Sequence, residues 1–201
     1  MESDTYDLAA KAEGGAPVAR MMGPMMQMLL EDRFKLKIHR ETKEAPVYIL
    51  TVAKGGAKLE PTKDGSCVPI DLEHLPKPGE PRPNFCGNQS MRRTGSSVTM
   101  TARGITMSMF TGMALPQVAG RPIIDKTGLA GEYDIQIDFA PDNLMPEPGG
   151  RGGAGDPGAP SADTPAPSIF AALQQLGLKL EAGKGPVEIL VIDHVERPSE
   201  N

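Results

Sequence analysis

Leu178-Lys179-Leu180-Glu181, followed by Pro186-Val187-Glu188-Ile189-Leu190, repeats a pattern from the first half of the chain. There, Phe34-Lys35-Leu36-Lys37-Ile38 is followed by Pro46-Val47-Tyr48-Ile49-Leu50. In each case an alternating strand precedes a short turn and a second, more apolar strand beginning Pro-Val. Further out, each pair follows an amphipathic helical stretch. Each helical stretch follows an alternating segment, opened by Tyr6-Asp7-Leu8 in one half and by Tyr133-Asp134-Ile135 in the other. A strand–helix–strand–strand unit therefore occurs twice, and self-similarity of this kind outranks any local motif. The expected fold class is α+β: two related half-domains, each a small, mainly antiparallel sheet with a helix packed on one face.

The organisation follows from the repeat. Residues 1–60 form the first half-domain and 61–88 a Pro-rich loop pinned by two cysteines. Residues 89–140 supply a hairpin, a helix and strands leading into the second copy. Residues 141–167 are a Gly/Pro linker expected to be disordered, and 168–201 complete the second half-domain. In detail, residues 5–12 predict a strand and 17–33 a helix with Met21, Met25, Met28 and Leu29 on one stripe. Gly23-Pro24 should kink that helix or delay its start, since proline has no backbone N–H to donate. Strands are expected at 34–38 and 47–52, a hairpin at 90–93 and 97–103 turning at Thr94-Gly95, and a helix from an N-cap at Thr106 to about 118, frayed by Pro116. A short strand at 121–125 and a clean alternating one at 132–139 follow. Ser168 caps a helix ending before Gly177 as its C′ residue, and strands at 178–182 and 186–194 close the chain.

The chain has 201 residues and a formal charge of -5, with no Trp, three Tyr and five Phe. An acidic chain with so few rings offers neither an electrostatic footprint for nucleic acid nor stacking platforms for bases. The longest nearly apolar run, residues 18–30, is interrupted by Arg20 and Pro24 and is shorter than the roughly 20 residues a bilayer span needs. No transmembrane segment is expected. The polar, acidic opening Met1-Glu2-Ser3-Asp4 is not a secretion signal, so either the protein is intracellular or a leader has been removed.

Cys67 and Cys86 are the only cysteines. Both lie in the Pro-rich segment and read as a disulfide clip, which would contribute on the order of 3 kcal/mol and place the protein outside the reducing cytosol. Two free thiols are the alternative, and titration before and after reduction separates the two.

At this point the sequence looks familiar. Residues 29–36 (Leu29 to Leu36), 122–129 (Pro122 to Leu129) and 185–196 (Gly185 to Glu196) closely resemble a family of uncharacterised proteins expanded in soil-associated acidobacteria. The resemblance covers nearly the whole chain. It implies an export leader, an envelope-associated location and no established activity. Some similar domains are attached to membrane-embedded metallopeptidase sensors, but the His-Glu-x-x-His motif of such peptidases is absent here. Family members usually continue upstream of the segment matching Asp4-Thr5-Tyr6-Asp7. The first copy is therefore expected to be truncated, with an apolar groove where a lead-in helix would pack. A looser likeness in layout, from Gly104 to Phe110 through Gly120 to Asp125 and Gly131 to Asp134, is to the strand–helix–strand modules at the periplasmic ends of secretins and TonB-linked receptors. Function does not follow from such a likeness.

No chemistry-bearing constellation emerges. Gly150-Arg151-Gly152-Gly153-Ala154-Gly155 matches a dinucleotide fingerprint only formally, because no strand precedes it and no helix follows closely. His39, His74 and His194 are scattered, whereas a zinc site needs three or four convergent ligands. Asp193-His194 has no nucleophile that the sequence brings near it. Met21, Met22, Met25, Met26 and Met28 read as core or interface packing rather than as soft ligands for copper. Arg92-Arg93, Lys35, Lys37 and Arg20 read as solvated faces. Asn88-Gln89-Ser90 fits a glycosylation sequon only incidentally.

The functional expectation is a non-enzymatic binding or interaction module, periplasmic, secreted or otherwise in the cell envelope. Its partner is an unknown protein or peptide. No cofactor, metal, catalytic residue or nucleic acid is expected. The alternatives are a hydrolase centred on His194 and Asp193, and a sensor domain regulating a membrane protein.

Overall fold

The computed structural model describes residues 5–7, 9, 11, 20–71, 75–76, 79–140 and 166–198. The chain divides into two compact units. One comprises Thr42–Pro69 and Pro83–Glu188; the other comprises Met1–Glu41, Ile70–Arg82 and Ile189–Asn201. The fold is α+β.

The larger unit holds the hydrophobic core. Its sheet has the order β2-β6-β4-β3, built from β2 (Glu60–Pro61), β3 (Asn88–Thr94), β4 (Ser97–Thr106) and β6 (Glu132–Phe139), all antiparallel. The hairpin β3–β4 turns at Thr94-Gly95, where Gly95 takes the left-handed conformation (φ 59°) that suits a tight turn. One face of the sheet is apolar. Val98, Met100 and Ala102 of β4 and Ile135, Ile137 and Phe139 of β6 are buried at alternating positions.

Helices cover that face. After β4 the chain forms three successive helical segments, Met107–Met109, a π-helical turn Phe110–Ala114, and Leu115–Ala119. The Thr106 hydroxyl caps the first by accepting from the Met109 amide at 3.2 Å. Pro116 does not fray the end. It sits in the first turn of the last segment, where its missing N–H costs nothing, and the widened turn before it accommodates the break. Phe110, Leu115 and Ala114 are fully buried. A second helix, Ile169–Gln175, is capped by Ser168 Oγ accepting from Ala171 N at 3.3 Å, and adds Ile169, Ala172 and Leu173 to the core. Each large apolar side chain buried this way contributes about 1.5–3 kcal/mol.

A second sheet has the order β5-β1-β7, from β1 (Lys37–Val52), β5 (Ile123–Asp125) and β7 (Leu178–His194). β5 runs parallel to β1, pairing Tyr48 with Ile123. β7 runs antiparallel to β1: Ala53 N donates to Gly177 O, and Thr51 Oγ1 to Lys179 O.

Here the structure corrects the sequence reading. The two strands expected at 34–38 and 47–52 are one 16-residue strand, and those expected at 178–182 and 186–194 are one of 17 residues. Phe34 ends a helix instead of opening a strand. Gly183 and Gly185 looked like turn residues, but neither has a positive φ. A Cβ on Gly183 would come within 2.9 Å of Ile49 Cδ1, and one on Gly185 would overlap Ile124 Cδ1. These glycines make room for neighbouring side chains within a continuous strand.

In the smaller unit, Met26–Phe34 is an α-helix preceded by a π-helical turn, Met21–Met25. Gly23 has non-helical angles and Pro24 follows it, so regular helix begins only at Met26. The methionine stripe does not join the core. No residue of either segment is fully buried: Met21 and Met28 of the stripe are 36% and 66% exposed, while Met25 and Leu29 are part-buried. Of the strand expected at 5–12, residues 5–7, 9 and 11 form no strand, and the others lie outside the described residues. The Gly/Pro segment 141–165, including Gly150 to Gly155, also lies outside them, as do His74 and Asp4, where the segment expected to follow a missing lead-in helix begins. No helix among the described residues is long and apolar enough to cross a membrane.

Candidate functional site

The outward face of the four-stranded sheet carries the polar partners of the buried alternation. On β3 these are Asn88, Ser90 and Arg92. Opposite them on β4 stand Arg103, Thr101 and Thr99. On β6, Gln136 and Asp138 pair with Thr101 and Thr99, and the Thr99 hydroxyl donates to Asp138. Strand register thus places alternate side chains of three strands on one surface. Over the β3–β4 hairpin lies a groove of about 370 Å³ that includes Arg92, Arg103, Ser90, Thr101, Asn84 and Asn88. Among the described residues no carboxylate lines it. An adjoining cleft of about 250 Å³ shares Asn84, Thr101 and Arg103 but adds Glu60 and Asp134.

The loop that contributes Asn84 to this surface is itself held in place. Cys67 and Cys86 are joined in a disulfide with Cα atoms 5.0 Å apart. Val68 N donates to Asn84 O and Cys86 N to Val68 O, so the two legs of the loop are stitched beside the bond. Gly87 N donates to the carbonyls of Arg103 (2.8 Å) and Gly104 (2.9 Å). β4 bulges here, between Ala102 and Ile105, and Gly104 is left-handed at φ 58°. Asp134 Oδ1 accepts from Gly104 N and from the Thr62 hydroxyl, both at 2.9 Å. Asn84 donates its Nδ2 to Ser66 O at 2.7 Å, leaving its carbonyl oxygen to face other partners.

The histidines lie elsewhere. His39 Nδ1 is 2.8 Å from both oxygens of Asp193. His194 Nε2 is 2.7 Å from Glu196 Oε1. An ionised carboxylate only accepts, so each ring nitrogen must carry the proton. Asp193 and His194 do not form the dyad considered for a hydrolase, because successive strand residues point to opposite faces. Both pairs are half exposed. Among the described residues neither imidazole is hydrogen-bonded to a hydroxyl or thiol, so the arrangement supplies two exposed imidazole–carboxylate hydrogen bonds and no activated nucleophile. The one convergent set of metal-type donors among the described residues is Cys67, Cys86 and Glu132, and there both sulfurs are committed to the disulfide.

β7 ends the order β5-β1-β7. In its last turns of sequence Leu190, Ile192 and the following Val195 are 55%, 59% and 58% exposed. Arg92, Arg103, Ser90 and Thr101 were not picked out from the sequence as a site. The signal was present in the polar alternation of residues 88–92 and 99–103, but their convergence depends on the hairpin register.

Residues 1–195 match the family described as "Protein of unknown function (DUF3738)". No curated protein and no solved structure matches the chain.

Proposed function

The chain belongs to the DUF3738 family of proteins of unknown function, and from that premise we propose a non-enzymatic binding module that works outside the reducing cytosol, in the periplasm, in the cell envelope or after secretion. Its partner is a protein that presents an extended segment, taken up as an added strand on β7. The observation that carries this reading is the apolar end of that strand. A terminal strand exposes a row of backbone donors and acceptors, and Leu190 and Ile192 stand half exposed beside it. Main-chain bonding gives affinity in strand addition, and pockets or apolar side chains at alternate positions give specificity. The disulfide supports the compartment.

The reading also takes the two halves as copies. In each, a helix (Met26–Phe34; Ile169–Gln175) is separated by two residues from a strand of 16 or 17 residues. Each link contains a left-handed residue, Lys35 at φ 51° and Gly177 at φ 71°.

The test is site-specific photo-crosslinking in envelope fractions. A probe at Ile192 should capture a discrete protein adduct, while one at the still more exposed Met22 should not. Ile192→Pro, which removes a strand donor, should abolish docking. Equal labelling from both positions, or none from Ile192, would end the proposal.

A further inference from the structure

The groove over the β3–β4 hairpin is a different surface from the β7 edge, and its chemistry is specific. We propose that it binds an oxyanion carried on a hydroxyl-rich scaffold, that is, an acidic sugar. Arg92 and Arg103 stand at its two ends, four residues apart in β3 register, because Arg103 faces Asn88. Four residues of strand span about 13 Å. Between the two cations lies the neutral rung Ser90–Thr101, flanked by Asn84 and Asn88.

A guanidinium offers a planar fork of donors matched to a carboxylate or phosphate. Amides and hydroxyls both donate and accept, which is what a row of sugar hydroxyls requires. The groove is lined with these groups and without carboxylates on a chain whose net charge is -5.

The surroundings set the size of the ligand. Asp138 is bonded to Thr99, and Glu60 and Asp134 share the adjoining cleft with Arg103. A long polyanion tracking across the sheet would meet all three. A compact ligand with one or two oxyanions, lying along the hairpin, would not. The site stands on register-locked strands, and the Arg103 carbonyl is tied to Gly87 beside the disulfide, so it is preorganised.

The oxyanion could be the carboxylate of a uronic acid or the phosphate of a phosphosugar, and the test separates them. The full chain is titrated by calorimetry and by amide NMR at low and at physiological salt. The titrants are digalacturonate, glucose 6-phosphate, maltohexaose and inorganic phosphate. The expected result is saturable binding to one of the two acidic sugars, with amide shifts at Ser90 and Thr101 and none in β7. Which of the two binds identifies the source. Arg92→Ala and Arg103→Ala should each weaken binding about tenfold or more, with Arg→Lys intermediate and thermal unfolding unchanged. Binding that survives the double Arg→Ala variant would overturn the proposal. So would inorganic phosphate binding as tightly as the sugar acid, maltohexaose binding equally well, or no binding of either acidic sugar. None of these outcomes bears on docking at β7.

Discussion

Gly104 lies directly against the sulfur of Cys67: a Cβ placed on it would stand 2.6 Å from Cys67 Sγ and 2.9 Å from Cys86 Cβ. The same residue has φ 58° and donates its amide to Asp134. Three demands therefore meet at one position. The bulge needs a left-handed residue, the disulfide needs empty space, and Asp134 needs an amide. Only glycine meets the first two.

Gly104→Ala is accordingly expected to cost about 3 kcal/mol, as strain plus steric conflict. Gly112→Ala is the control. Gly112 sits in the π-helical turn, has no positive φ, and leaves open space within 4 Å of where a Cβ would stand. Alanine there should stabilise by about 0.5 kcal/mol. Urea unfolding of both variants measures the difference. Equal midpoints would refute it.

Removing the disulfide should loosen the same corner. The bridge closes a loop of sequence separation 19, and its loss raises the conformational entropy of the unfolded chain. Cys67→Ser with Cys86→Ser should cost about 3 kcal/mol. In the native oxidised protein, thiol titration should find no free thiol until a reductant is added.

Gln89 Oε1 is buried and has no hydrogen-bond partner among the described residues. A buried acceptor without a donor carries the full cost of its desolvation. Gln89→Leu should therefore raise stability or leave it unchanged, by at most about 1 kcal/mol, whereas most replacements of part-buried residues lower it. A clear loss of stability in a denaturation curve would contradict this.

Gly177 separates strain from collision. At φ 71° it ends the helix Ile169–Gln175, and a Cβ there would run into the carbonyl oxygen of Gly56, which is backbone and cannot rotate away. Gly128 has φ 68° but open space around it. Gly128→Ala should lose about 1 kcal/mol, for backbone strain alone. Gly177→Ala should lose about 3 kcal/mol or more, because the chain near Gly56 must move. Thermal unfolding ranks the two, and the reverse order would be decisive against the argument.

Much of the larger unit was legible because local signals there agree with tertiary packing. Glu132 to Phe139 alternates cleanly and forms a strand over those residues. Thr106 and Ser168 cap the helices that follow them, and Gly177 is left-handed at its helix end. The cysteines were legible as a pair because nothing else in the chain could partner either one. The long strands were not legible. Their midpoints, Ala45-Pro46 and Gly183 to Pro186, carry turn residues, and pairing between β1 and β7 overrides that propensity. That the methionine stripe stands outside the core was not legible either, since helical spacing shows which residues share a face and not what covers it. Arg92 and Arg103 are 11 positions apart and gain meaning only from the hairpin that sets them on one surface.

Met22 and Met28 give the chain a chemical vulnerability of its own. With both cysteines tied in the disulfide, thioethers open to solvent are the side chains most ready to take up oxygen from peroxide, and the resulting sulfoxide is polar where the parent was greasy. In a compartment oxidising enough to close Cys67 onto Cys86, these two residues would register oxidative exposure as a mass gain of one oxygen per methionine, well before the buried Met100 and Met107 reacted.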